Sequence, residues 1–321
     1  MVRRFDDSCQ KKKKGDEIIT VCNSFYASAG AIAACGAKPV FVDIKSDTYT
    51  IDCEDLESKI TNKSKALLIV HPWGYPCDME GILKITKKNN LKLIEDCSHA
   101  HGALYNNNKI GSFGDISCFS LQGAKSIKAG EGGISLTNNK DYFLRMSIYG
   151  HFNRNENELS KFETYKQYSK TGISKKLRAH PLGIVLANVD LKNLDSMNKI
   201  KNDIYNKIEK IISEYKSISS MQLNHKATRG GFFGGYPIIF KNEEKIIEIK
   251  KIFKKFDLGL FDYHWMNHHK MDIYNKDKID LPITEKILDK FYLIKIPFFL
   301  NFKFKNLKIC LEECKRNKLI S

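Results

Sequence analysis

Residues 65–96 read KALLIVHPWGYPCDMEGILKITKKNNLKLIED. In order they hold an apolar run of strand length, a turn punctuated by Pro and Gly, a helix-like segment and a second apolar run. In MEGILKITKKNN the apolar Ile82, Leu83 and Ile85 sit among lysines, the pattern of a helix with one face packed and one in water. Two strand-like runs joined by such a helix make a βαβ unit, and its strands lie parallel.

The same alternation extends outward from this unit. Upstream lie EIITV (17–21) and KPVFVDI (38–44), joined by ASAGAIAACG (27–36), whose small residues suit a tightly packed helix. Downstream lie CFSLQ (118–122) and GGISLT (132–137). The order predicts an α/β fold with a largely parallel, buried sheet over residues 16 to about 140. Farther on, residues 180–215 carry apolar side chains at helical spacing from Pro181 to Tyr215, as in a long connecting helix. After it come RGGFFGGYPIIF (229–240), a Gly-rich turn into a strand; EEKIIEIKKIFKKF (243–256), helix-like; and FYLIKIPFF (291–299), strand-like. The expected division is a large domain over 1–215, including the connecting helix, and a small α/β domain over 216–321.

Composition narrows the function classes. Of the 321 residues 42% are hydrophobic and 11% aromatic, enough to build a core and well away from the disordered regime. The formal charge is +16, but the lysines are spread along the chain among Asn and Ile instead of forming a patch. That distribution argues against a nucleic-acid partner and favours attraction of phosphorylated or nucleotide-linked substrates. Nine cysteines without a CxxC pair suggest reduced, structural thiols and no metal site. No apolar run reaches the ~18 residues needed to span a bilayer, and MVRRFDDSCQKKKKGDE has no apolar segment that would make it a secretory signal. The expectation is a cytoplasmic protein with no membrane contact.

In parallel sheets chemistry gathers outside the carboxyl ends of the strands. Asp96 closes LKLIED, Lys125 follows CFSLQ, and the polar CNSFYAS (22–28) follows EIITV. Lys125 stands in GAKSIKAGEGG (123–133), where glycines let the backbone approach a planar ligand. An amine in that setting suits Schiff-base chemistry with an aldehyde or ketone. Asp96 offers the negative charge required by the pyridinium nitrogen of pyridoxal 5'-phosphate (PLP). Each residue alone also fits a plainer role, a loop lysine or a helix-capping aspartate. It is the pair that points to a cofactor.

Several segments together, CFSLQGAKSIKAGEGG, IEDCSHAHGALYNNNKIGSFGDIS, VHPWGYPCDMEGI and GAKPVFVDI, resemble the DegT/DnrJ/StrS family of PLP-dependent aminotransferases. The likeness is dense from residue 15 to about 200 and faint beyond. It implies PLP-dependent transferase fold type I, and amino transfer from glutamate or glutamine to a keto-sugar or cyclitol ketone in amino-sugar or polysaccharide biosynthesis. By the resemblance, Lys125 carries the cofactor and moves the proton, and Asp96 faces the pyridine nitrogen. His99 lies beside the ring oxygen, Phe25 stacks on the ring and Ser120 binds the phosphate. The segment KKLRAHPLG (175–183) resembles a loop that reaches the neighbouring subunit's site, with Lys176 where the family often has Asn. That implies a homodimer with shared sites, and a place for Arg178 and His180 in the same loop.

The chain also departs from the family. Ahead of GDEIIT the family carries a longer stretch with a helix and a Gly-Thr turn whose amides hold the cofactor phosphate. Here fourteen residues precede Gly15, ending in the run Lys11 to Lys14. The expectation is an N-terminally truncated member lacking a principal phosphate anchor. Three alternatives stand beside the aminotransferase: a catalytically impaired member; a sugar dehydratase, which the resemblance says has His in place of Lys125; and a basic nucleic-acid-binding protein.

Overall fold

The computed structural model describes residues 15–151, 156–168, 175–241, 243–263, 267–274, 279–288, 290–296 and 301–321. The lysine run and the rest of the N-terminal stretch therefore lie outside the described residues.

The βαβ order produces the expected sheet. Strands β1 (Glu17–Val21), β2 (Lys38–Val42), β3 (Ser64–Val70) and β4 (Lys92–Asp96) alternate with helices α1 (Tyr26–Ala34), α2 (Cys53–Ser58) and α3 (Met79–Lys88). A small hairpin, β5 (Leu104–Tyr105) and β6 (Asn108–Lys109), precedes β7 (Ile116–Ser120) and β8 (Gly133–Leu136). The six-stranded order is β2-β1-β3-β4-β7-β8. Neighbours through β7 pair in parallel, and β8 closes the edge antiparallel to β7. The chain is thus α/β with a mostly parallel central sheet. Val70 pairs with Asp96, and Asp96 with Cys118, which aligns the carboxyl ends of three strands.

Local signals explain the helices. Asp78 caps α3 by accepting from the Gly81 N–H, Glu80 lies in its first turn, and Lys87 and Lys88 in its last, each favourable to the helix dipole. Met79, Ile82, Ile85 and Thr86 face the core while Leu83 is left to solvent, so the buried stripe is narrower than the apolar residues of the segment suggest.

Helices α4 (Lys140–His151), α5 (Glu156–Leu159) and α6 (Glu163–Lys166) lead to α7 (Pro181–Ile212), which starts with Pro181 at its first turn and His180 accepting from Leu182 N–H. The helix ends at Ile212, and Tyr215 packs in the following turn. The C-terminal half of α7 buries Ile204, Tyr205, Ile208 and Ile211, whereas Leu182, Val185, Leu186 and Val189 of the N-terminal half are exposed. Beyond it come β9 (Ile218–Ser220), β10 (Ala227–Thr228), β11 (Tyr236–Phe240), α8 (Ile246–Lys255), β12 (Leu260–Asp262), α9 (Pro282–Leu288), β13 (Phe291–Ile294) and α10 (Phe304–Arg316). The last sheet, β12-β13-β11-β9, is antiparallel throughout. Side chains of both larger sheets belong to one continuous apolar core.

Among the described residues no helix is long and apolar enough to cross a membrane. Eight of the cysteines are free thiols, and the ninth, Cys9, lies outside the described residues.

Candidate active site

Asp96 is the last residue of β4, and its carboxylate is gripped on both oxygens. Ser98 N–H donates to Oδ1 at 3.1 Å, and the Ser28 hydroxyl donates to Oδ2 at 3.0 Å. Ser28 in turn pairs with the Ser24 hydroxyl at 2.7 Å, so CNSFYAS reaches the site through its serines.

Lys125 lies on the loop that leaves β7. Ser120 Oγ accepts from Gln122 N–H, Gln122 Oε1 accepts from Ala124 N–H, and Lys125 N–H donates to Gln122 O. These bonds form a tight turn that presents the amine. Burial pushes the Lys125 pKa down from 10.5 to about 8, partly opposed by the negative charge of Asp96. Its Nζ lies 3.9 Å from the centre of the Phe233 ring.

His99 stacks on the same Phe233 ring, centroids 4.2 Å apart and planes at 16°. Its Nδ1 accepts the Trp73 backbone N–H at 3.3 Å. Burial, with the nearby Lys125 charge, holds its pKa well below the usual histidine range. A neutral ring whose Nδ1 accepts carries its proton on Nε2 and offers a donor. Trp73 takes a left-handed backbone conformation (φ 47°) in the turn after β3, which aims its N–H at the imidazole.

Sequence reading missed Phe233, although the glycines around it were the available signal. RGGFFGG is fastened from several sides. Arg229 pairs with Glu209 at 2.6 Å, Asn202 Nδ2 donates to Arg229 O, Gly230 N–H donates to Gly74 O, and Gly231 is held by Asn198 Oδ1 and the Ser126 hydroxyl. A Cβ on Gly231 would stand 2.1 Å from His99 O, at a φ of +78°. One on Gly230 would stand 2.3 Å from Ala103 N. Only glycine allows this approach, and the approach is what lays Phe233 against His99 and Lys125.

Behind the site, Glu95 is fully buried on the opposite face of β4 from Asp96. It accepts from the backbone N–H groups of Gly111, Phe113 and Gly114, and lies 3.4 Å from His71 Nε2. Burial works to raise its pKa, but His71 and the N–H donors outweigh it and the net shift is downward. The carboxylate thereby anchors the turn that leads into β7.

The structure therefore gathers Asp96, His99 and Lys125, with Ser120 at the base of the lysine loop. Phe25 is exposed at the start of α1, next to Ser24. Lys176 stands on a separate exposed loop whose backbone bonds to the end of α4, through Lys175 N–H to Tyr149 O and Leu177 N–H to Gly150 O. Arg178 Nε bonds to His151 there, and His180 caps α7. An activated amine and a neutral imidazole against one aromatic ring, with the Asp96 carboxylate near the amine, suit a planar, nitrogen-containing carbonyl cofactor.

Comparison with known proteins agrees with this geometry. The chain is 47% identical over 132 residues to the GDP-perosamine synthase of Escherichia coli O157:H7, covering 41% of this chain and 36% of that protein. It is 38% identical over 191 residues to the dTDP-3-amino-3,6-dideoxy-alpha-D-galactopyranose transaminase of Aneurinibacillus thermoaerophilus, covering 59% and 50%. These matches span about a third to a half of the curated relatives. Among solved structures, the aminotransferase from Psychrobacter cryohalolentis shares the fold with a TM-score of 0.80 at 22% identity, covering 94% of this chain and 82% of that one. The pattern of one family takes in residues 8–308, and with them the central sheet, the lysine loop and the glycine-fastened segment. The chain belongs to the DegT/DnrJ/EryC1/StrS aminotransferase family.

Proposed function

We propose that this chain is a PLP-dependent aminotransferase that moves an amino group from glutamate or glutamine to a keto-sugar, nucleotide-linked or free, or to a cyclitol ketone. The observation that carries the reading is Lys125, an amine with a pKa near 8 beside Asp96 at the carboxyl edge of a parallel sheet. The names of the relatives, a GDP-perosamine synthase and a dTDP-amino-sugar transaminase, support the substrate class. In this reading Lys125 carries PLP, Asp96 meets the pyridine nitrogen and His99 donates to the ring oxygen. Phe25 stacks on the ring, and Ser120 and Lys176 hold the phosphate. Bound there, the cofactor supplies the electron sink that lets an amino group leave the donor and pass to the acceptor.

The reading extends to a cytoplasmic homodimer with a large domain over 1–215 and a small one over 216–321, binding neither nucleic acid nor membrane. An apolar groove of about 750 Å³, lined by Phe119, Ile134, Leu136, Ile184, Val185 and Leu191, supports a partner surface, and the exposure of the Lys176 loop is consistent with that loop serving a second subunit.

Incubation of the purified chain with PLP, borohydride reduction and peptide mapping test the assignment. The label is expected on Lys125; recovery on Lys128, or on no lysine, overturns it. Asp96→Asn is expected to keep PLP bound yet slow the half-reaction with the amino donor by about a hundredfold or more, because an amide does not hold the pyridine nitrogen protonated. Single-turnover absorbance measures this, and equal rates in variant and parent make Asp96 structural.

A further inference from the structure

The Ser24–Ser28 pair is built into the site but has no part in the chemistry assigned above. Both side chains are buried, Ser24 after β1 and Ser28 in the first turn of α1. Ser28 gives its single proton to Asp96 Oδ2, 68 residues away in sequence. With its proton on Asp96, Ser28 accepts in the 2.7 Å contact with Ser24, whose hydroxyl also lies 3.2 Å from the Phe25 carbonyl oxygen and shares its proton between the two acceptors.

We propose that Ser28, oriented by Ser24, is a positioning residue that sets the plane of the Asp96 carboxylate toward the cofactor's ring nitrogen. The inference rests on the PLP reading above. A carboxylate turns readily about its last bond, whose torsion is broad and weakly restrained. Ser98 N–H on one oxygen and Ser28 Oγ on the other stop that rotation. Each oxygen keeps a second acceptor site, so one donor more, the protonated ring nitrogen, can be taken up without displacing either serine. Ser28 touches neither the cofactor nor the reacting atoms in this account, and its effect passes through Asp96.

The test compares Ser28→Ala, Ser28→Thr and Ser28→Cys with the parent. PLP affinity is read by absorbance titration, and ring-nitrogen protonation by the 15N signal of labelled PLP as pH is raised. Ser28→Ala is expected to bind PLP about tenfold more weakly and to release the ring proton at lower pH, while Ser28→Thr, which keeps the hydroxyl, restores both. Ser28→Cys keeps the volume but donates weakly, so it should follow Ala and reads the same effect if Ala does not fold. An unchanged affinity and 15N profile in the Ala and Cys variants overturns the inference, as does a Thr variant as impaired as Ala, which would make the role one of packing. If borohydride fails to label Lys125 in the parent, the PLP reading falls and takes this inference with it. Label in the parent with unaltered Ala and Cys variants overturns the inference alone.

Discussion

Lys125→Ala is expected to abolish the proposed amino transfer, a loss of at least about a thousandfold, and to leave the fold in place. In the proposed reaction the amine carries the cofactor and moves the proton, and among the described residues no other lysine stands beside both Asp96 and Phe233. Its structural worth is small, because the ring contact contributes only about 0.5–1 kcal/mol and is offset by the cost of burying the charge. Circular dichroism and thermal unfolding should match the parent within a few degrees while turnover disappears. The pH dependence supplies a second check. With a pKa near 8, about a tenth of Lys125 is uncharged at pH 7, against roughly 3 in 10,000 for an ordinary lysine. The rate of PLP capture should therefore climb about tenfold per unit below pH 8 and level off above it. Capture that keeps rising to pH 10 would mean the amine is not activated.

Glu95→Gln is expected to give the largest loss of stability, on the order of 3–5 kcal/mol or roughly 10 °C in melting temperature. The amide keeps the shape but turns an NH2 group toward the N–H groups of Gly111, Phe113 or Gly114, and it removes the charge opposite His71. The sign of the pH effect follows from the shift. A carboxyl whose pKa is depressed by folding stabilises the protein above its unfolded value of about 4.5, and the benefit is lost as pH falls through the lower folded value. Melting curves between pH 3 and 7 should show this acid-side loss in the parent and a flatter profile in Glu95→Gln. Equal stability of the two proteins at neutral pH would show that the N–H groups do not depend on the charge.

The two variants also separate what is local from what is not. Sequence by itself determined the order of the six central strands and the places of α1, α3, α7 and α8, because period-2 and period-3.6 patterns are properties of consecutive residues, whereas short elements such as α2 and the β5–β6 hairpin carry too few residues to show a period. It also determined that Asp96 ends a strand and that Lys125 lies on the loop leaving another, since the first closes and the second comes shortly after a readable apolar run. The family resemblance then assigned roles that local pattern alone left open. Within LKLIED, though, nothing marks Glu95 as the buried anchor and Asp96 as the open carboxylate. Alternation along β4 sends them to opposite faces, and which face carries the chemistry depends on the elements packed there. The serines of CNSFYAS read as a polar turn until the fold brings the first turn of α1 to the end of β4 and puts Ser28 on Asp96. Phe233 lay hidden longest: the Gly-rich stretch promised a turn, but its destination is set by close backbone approaches and by bonds such as Ser126 to Gly231, 105 residues apart. Such partners are chosen when the chain closes on itself and excludes every wider side chain, and a selection made by contact across the fold leaves no period in the sequence to read.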